Sequence, residues 1–147
     1  MTKNIILCDL DGTLADLNHR LHYIKPTVGQ KKDWDAFHKA CANDTPYGDM
    51  VEIATGLPGE LHILSGRNEV VREETEAWLR KHGIVYAGLH MRKAKDRRHD
   101  TVVKLEMVQQ LGFTPDRVLC VFDDRQSVVD MWRENGFRCL QVQAWTE

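Results

Sequence analysis

Two aspartates, Asp9 and Asp11, stand one residue apart where the apolar run "NIILCDL" (4–10) gives way to Gly12. Aspartate is poor strand material, so this pair calls for a chemical reason. In an extended segment residues i and i+2 point the same way, which would bring both carboxylates to one substrate. One can attack phosphorus covalently. The other can protonate the leaving oxygen and then deprotonate the attacking water. Gly12 permits a sharp turn past them, and Thr13 adds a hydroxyl. A second acidic pair, Asp123 and Asp124, closes the run "RVLCVFDD" (117–124), and Ser65 closes "LHILS" (61–65), followed by Gly66 and Arg67. Carboxylates from two strand ends make a hard-oxygen site suited to Mg²⁺. Without a cation, three of them would repel one another, and one or more would take up a proton. A metal together with a lysine would offset the charge on a transferring phosphoryl group.

Positioning these groups requires strands that end on one face. Apolar runs at 4–10, 61–65, 117–124 and 137–142, with a short one within 84–90, alternate with amphipathic patterns at 68–83, 101–112 and 127–136. Strands alternating with helices predict an α/β fold with a mostly parallel sheet, in which ligands bind at the carboxyl ends of the strands. Asp100 is a plausible N-cap for the helix that carries Lys104. Residues 16–47, with Pro26, Gly29 and the Lys31–Lys32 pair, fit no regular element and read as an insertion or small lid over the sheet edge. Trp34, Phe37 and Cys41 give part of it an amphipathic pattern. Trp78 and Trp132 fall at apolar helical positions and are expected in the core, and core or lid packing is also expected for Trp34.

The 147 residues predict one domain over 1–147, with an apolar fraction of 42%, enough for a real core. A net charge of −2 gives no reason to expect a polyanionic partner, although "MRKAKDRRHD" (91–100) carries five basic residues against two acidic ones. That run reads either as a solvated loop or as a groove tracking a nucleic-acid backbone. Cys8, Cys41, Cys120 and Cys139 are widely spaced and form no C-x-x-C pair, which argues against zinc and for reduced thiols in a cytoplasmic setting. The first residues are too soon polar for a signal peptide, and no apolar run approaches the length of a membrane span.

In combination, "DLDGTLA", "ILSGR", Lys104 and "VFDD" resemble, in order, the four motifs of the haloacid dehalogenase superfamily of phosphotransferases. The resemblance implies a Rossmann-like three-layer sandwich with a small insertion after the first strand. It narrows further through Arg20, through Arg67 directly after Ser65 and Gly66, through Asp96, Arg98, Asp100 and Lys104, and through the stretch from Asp123 to Arg133. Together these are similar to the 3′-phosphatase domain of phage polynucleotide kinase–phosphatase. The sequence holds no G-x-x-x-x-G-K-[ST] loop, so a kinase module is not expected within it.

The resemblance implies Asp9 as nucleophile, Asp11 as general acid/base, and Mg²⁺ held by Asp9, the Asp11 carbonyl and a motif-four acid. Asp124 is favoured as that ligand, with Asp123 orienting Lys104 or a water, and the reverse assignment stays open. Ser65 would donate to phosphoryl oxygens, or cap the helix that follows. Arg67 and Arg20 would clamp a phosphate, with a surface ion pair explaining Arg20 equally well. Thr13, Gly66 and Asp100 complete the substrate-side set. Tyr23, Trp34 and Tyr47 are aromatics that can stack on a base. The implied activity is a Mg²⁺-dependent phosphomonoesterase removing 3′-phosphate from nucleic-acid ends or nucleotides, as in nucleic-acid repair. The alternatives are a nucleotidase or small-metabolite phosphatase, and a non-catalytic scaffold for a separate kinase or ligase.

Overall fold

The computed structural model describes residues 2–25 and 27–145; Pro26, read above as part of the irregular insertion, and the extreme ends lie outside the described residues. Strands β1 (Ile5–Cys8), β4 (Glu60–Asn68), β5 (Gly88–Arg92), β6 (Val118–Arg125) and β7 (Cys139–Trp145) form one sheet in the order β5-β4-β1-β6-β7. Every neighbouring pair is parallel. The sheet, with helices alternating with its strands, is a Rossmann-like α/β core. All four residues of β1 are buried, as a strand covered on both faces requires.

Period-two alternation sorts the core into two layers. Ile6, Cys8 and Ile63 pack with Ala54, Trp78 and Leu79, beneath α2 (Gly48–Gly56) and α3 (Arg72–Lys81). Ile5, Leu7, Leu64 and Val121 pack with Val108, Val128 and Trp132, beneath α4 (Asp100–Leu111) and α5 (Gln126–Glu134). Trp78 and Trp132 are both core residues, and Trp132 is wholly buried. Truncating such a ring to alanine removes about 3–5 kcal/mol.

The strand order reverses beside β1, where the chain leaves the β4–β5 side and returns to the other side as β6. That reversal opens a crevice at the carboxyl ends of β1 and β6. It is there that Asp9 and the Asp123–Asp124 pair stand.

Several boundaries differ from the sequence reading. Strand β4 runs on to Asn68, so Ser65 is not a helix cap. Asn68 takes that role, its side chain accepting from Val70 N at 2.9 Å. The 68–83 segment is a short 3-10 turn, Glu69–Val71, followed by α3. Asp100 is the first residue of α4 rather than its cap. His99 caps it, through Nδ1 accepting from Thr101 N, which leaves both Asp100 oxygens for other partners. Helix α2 falls where no element was expected. It begins and ends on glycines, Gly48 and Gly56, which disfavour helix, while packing of Ala54, Met50 and Val51 on the core stabilises it.

The 16–47 segment has more order than an irregular lid. β2 (Ala15–Asp16) pairs antiparallel with β3 (Thr45–Pro46), and between them lie a 3-10 helix, Asn18–Tyr23, then α1 (Trp34–Lys39) and a 3-10 turn, Ala40–Asn43. Phe37 and Cys41 are buried as expected, whereas Trp34 is half-exposed and not packed away. Trp78 Nε1 donates to the Asp44 carbonyl at 2.8 Å, fastening the segment to α3. Among the described residues no helix is long and apolar enough to cross a membrane.

Candidate active site

The turn after β1 sets the site. Asp9 N still bonds to Phe122 O at 2.9 Å, extending the β1–β6 ladder by one residue. The Leu10 carbonyl then accepts from Thr13, Leu14 and Ala15, coiling the chain back on itself. Gly12, at φ 85°, has the left-handed backbone that this coil demands. A β-carbon there would overlap the Asp124 carboxylate, so Gly12 is required both by conformation and by space.

Asp9, Thr13, Ser65, Lys104, Asp123 and Asp124 are all buried at the crevice. Lys104 Nζ donates to Asp9 Oδ1 at 2.8 Å and to Asp123 Oδ2 at 3.0 Å. Thr13 Oγ1 donates to Asp9 Oδ2 at 3.2 Å. Asp123 is held by several donors, Arg125 N among them at 3.5 Å. Besides Lys104, it accepts from Trp132 Nε1 at 3.3 Å and, through Oδ1, from Asp124 N at 2.9 Å. Oxygens of Asp9, Asp123 and Asp124 lie within 4.8 Å of one another.

Three buried carboxylates thus face one ammonium. Burial, then the neighbouring charge of Asp123, pushes the Asp9 carboxyl well above the usual range, with Lys104 opposing and Asp124 adding to the rise. Burial likewise raises Asp124. Lys104 is also shifted upward: burial disfavours its charge, yet Asp123 and Asp9 outweigh that and hold it as an ammonium. A site with excess buried negative charge and hard oxygen donors suits a divalent cation such as Mg²⁺. By this test, on the residues present, the set fits one.

Asp11 takes different partners. Arg67 and Arg20 both donate to its Oδ1, Arg20 Nη2 at 2.6 Å. Burial alone would raise the Asp11 carboxyl, and the two guanidiniums more than reverse this, keeping it below the ordinary carboxylate range. Arg20 is completely buried, which contradicts a surface ion pair. Its Nε and Nη2 donate to the two Asp44 oxygens, both at 2.8 Å, and its Nη1 to Phe37 O at 3.3 Å. Arg67, also buried, donates to Thr75 Oγ1 at 3.0 Å and to Asp44 Oδ2 at 3.3 Å. These guanidiniums are engaged by protein acids rather than pointing free at a phosphate.

Asp44 is the residue that sequence reading missed. An acid within "ANDTPYG" looks like turn chemistry, and only its buried bridge to two distant arginines distinguishes it. Asp100 is likewise held by two arginines. Arg92 Nη2 and Arg125 Nη1 donate to its two oxygens, the latter at 3.0 Å, and a β-carbon on Gly66 would overlap its carboxylate. Burial would raise Asp100, while Lys104, Arg92 and Arg125 lower it. Ser65 Oγ accepts from Arg67 N at 3.0 Å, leaving the hydroxyl proton to donate. The basic run is largely compensated, since Arg98 pairs with Asp96 and Glu106, Arg92 with Asp100, and Lys93 with Glu69 at 3.7 Å. Tyr47 closes off the turn region, its N donating to Leu14 O at 2.8 Å.

The model of the polynucleotide kinase PNKP phosphatase-domain family matches residues 3–145. The chain belongs to that family. This phosphatase domain is 32% identical to a chain in the solved Pnkp1/Rnl/Hen1 RNA repair complex, with a TM-score of 0.80, covering 97% of the domain and 43% of that chain. It is 29% identical over 134 residues to a protein of Autographa californica nuclear polyhedrosis virus described as a bifunctional polynucleotide kinase/RNA ligase, covering 88% of this chain and 18% of the viral one. It therefore spans less than half the length of either relative. A haloacid dehalogenase-like hydrolase of Streptococcus pneumoniae shares the fold at 16% identity and a TM-score of 0.68.

Proposed function

We propose that the phosphatase domain is a Mg²⁺-dependent phosphomonoesterase that removes 3′-phosphate from nucleic-acid ends through an aspartyl-phosphate on Asp9. The observation that carries this reading is the Asp9 carboxylate, held by Lys104 and Thr13 at the end of the central strand, with Asp124 close enough to share an ion. Asp9 and Asp124 would hold the metal, with the Asp11 carbonyl beside them. Asp123 is committed to Lys104, Trp132 and the Asp124 backbone, which favours Asp124 as the direct ligand. When bound, the cation would neutralise charge on the site and on the transferring phosphoryl group.

The steps belong to the chain's own side chains. Asp9 attacks phosphorus, and the 3′-oxygen leaves with a proton from Asp11. A water, deprotonated by Asp11, then attacks the aspartyl-phosphate and restores Asp9. Lys104 and the Ser65 hydroxyl stabilise the equatorial oxygens. Arg20, Arg67 and Asp44 hold Asp11 in place. In this arrangement Asp11 is ionised, ready to act as base. For the acid step it must gain a proton, and loosening either guanidinium contact raises its pKa toward that requirement.

The substrate assignment comes from the family and from the relatives named in RNA repair and polynucleotide kinase/ligase proteins. A 3′-hydroxyl end is what ligation requires, so a separate kinase or ligase is the partner class that fits. The test is phosphate release from a 3′-phosphorylated oligonucleotide, a 5′-phosphorylated one and a 3′-mononucleotide, with Mg²⁺ and with EDTA. The 3′-end is expected to be preferred, and only with Mg²⁺. An equal or faster rate on the mononucleotide overturns the strand-end assignment.

A further inference from the structure

Helix α1 carries a pair of rings that the proposed mechanism leaves unused. Trp34 opens the helix at 49% exposure, while Phe37, the helix's other large apolar ring, is buried at 8%. Spacing of i and i+4 puts Trp34 and His38 on one face, and their rings lie roughly parallel at 29°, with centroids 6.0 Å apart. Lys32 Nζ stands 5.8 Å from the Trp34 ring centroid. Lys31 and Lys32 are exposed, and among the described residues neither is in an ion pair. The nearby acids have helical duties: Asp33 caps α1 by accepting from Ala36 N at 3.0 Å, and Asp35 lies in its first turn.

This ring pair connects inward to the site. Trp34 meets Phe37 edge-on at 5.8 Å, Arg20 Cζ lies 4.5 Å from the Phe37 ring centroid, and Arg20 Nη2 reaches Asp11 at 2.6 Å. His38 is within electrostatic reach of Arg20, Asp11 and Arg67. Its Nδ1 is enclosed with no hydrogen-bond partner among the described residues, so the inner end of the platform lacks a polar contact. A half-exposed tryptophan beside exposed lysines combines the two elements by which proteins hold single-stranded nucleic acid: a ring on which a base stacks, and cations for the backbone.

We propose that Trp34, backed by His38 and flanked by Lys32, is the surface on which a base of the last two nucleotides of the substrate strand stacks. This rests on the strand-end reading given above. It assigns α1 the selection of strands over small phosphate esters.

The experiment compares kcat/KM for wild type, Trp34→Ala, Trp34→Gln and Trp34→Phe on two 3′-phosphorylated oligonucleotides. One has normal bases, and the other is abasic at its last two positions. On the normal strand, Trp34→Ala and Trp34→Gln are expected to lose about 5- to 150-fold, mainly through KM, as one stacked base implies, and Trp34→Phe is expected to recover most of this. On the abasic strand all four should be alike. Equal losses on both strands, or no loss on the normal one, overturn the platform. Wild type that hydrolyses p-nitrophenyl phosphate but neither strand removes the strand-end reading, and the platform with it. Wild type active on both strands with Trp34→Ala unchanged overturns the platform alone.

Discussion

Lys104 governs the charge state of the acidic site. It is the cation between Asp9 and Asp123, and near the positive end of α4, just past its first turn, it gains nothing from the helix dipole, so its value lies in those contacts. Lys104→Met is expected to lower kcat on p-nitrophenyl phosphate by at least about 100-fold, in line with loss of a preorganised charge. Because Lys104 lowers the Asp9 pKa, the variant's Asp9 ionises at higher pH, and the acid limb of the pH–rate profile should move upward. A limb that stays in place would place Lys104 away from Asp9 in the working enzyme. Asp9→Asn should abolish turnover, by about 10³-fold or more as for other nucleophile deletions, in the same assay. The acids were legible in the sequence because carboxylates at the ends of apolar strands conflict with strand propensity, and Lys104 was placed only through the order of the motifs it shares with the family. Asp44 was not, since its burial is decided by Arg20 and Arg67, far away in sequence.

At the scale of elements, the account depends on a coil and a cap. Gly12→Ala would place a methyl group into the Asp124 carboxylate at a positive φ, and activity should fall below a tenth of wild type while the fold persists by circular dichroism. Asp44 fastens the segment between β1 and α2 to the core. Its carboxylate is wholly buried against Arg20 and Arg67. Asp44→Ala leaves two buried guanidiniums with reduced compensation and should destabilise by about 3–5 kcal/mol, read from denaturant unfolding. The strands and three of the helices were legible from periodicity. Their ends were not, because capping depends on which neighbour the backbone meets: His99 rather than Asp100 caps α4, and Asn68 rather than Ser65 caps the turn after β4. Helix α2 escaped because its glycines mask a packing-driven helix.

The molecule as a whole carries a charge imbalance that a cation would relieve. The folded-state pKa values of Asp9 and Asp124 are raised above the unfolded value of 3.8. In the absence of metal these two groups favour folding most at pH below that value, and their contribution is lost as pH rises through the raised folded values. Mg²⁺ should therefore raise Tm more near neutral pH than in acid, through a stabilisation of about 2.7 kcal/mol at a hundredfold excess over Kd. Asp124→Asn should abolish most of that gain. The parallel sheet and its reversal beside β1 bring β1 and β6 together, so residues over a hundred positions apart in sequence share one crevice.

The central claim is that Asp9 itself takes the phosphoryl group. The most direct measurement is the stereochemical course at phosphorus, using a 3′-phosphorothioate strand end made chiral with oxygen isotopes. Two successive displacements, first by Asp9 and then by water, predict overall retention of configuration. Inversion would mean that water attacks the substrate directly and would contradict the account.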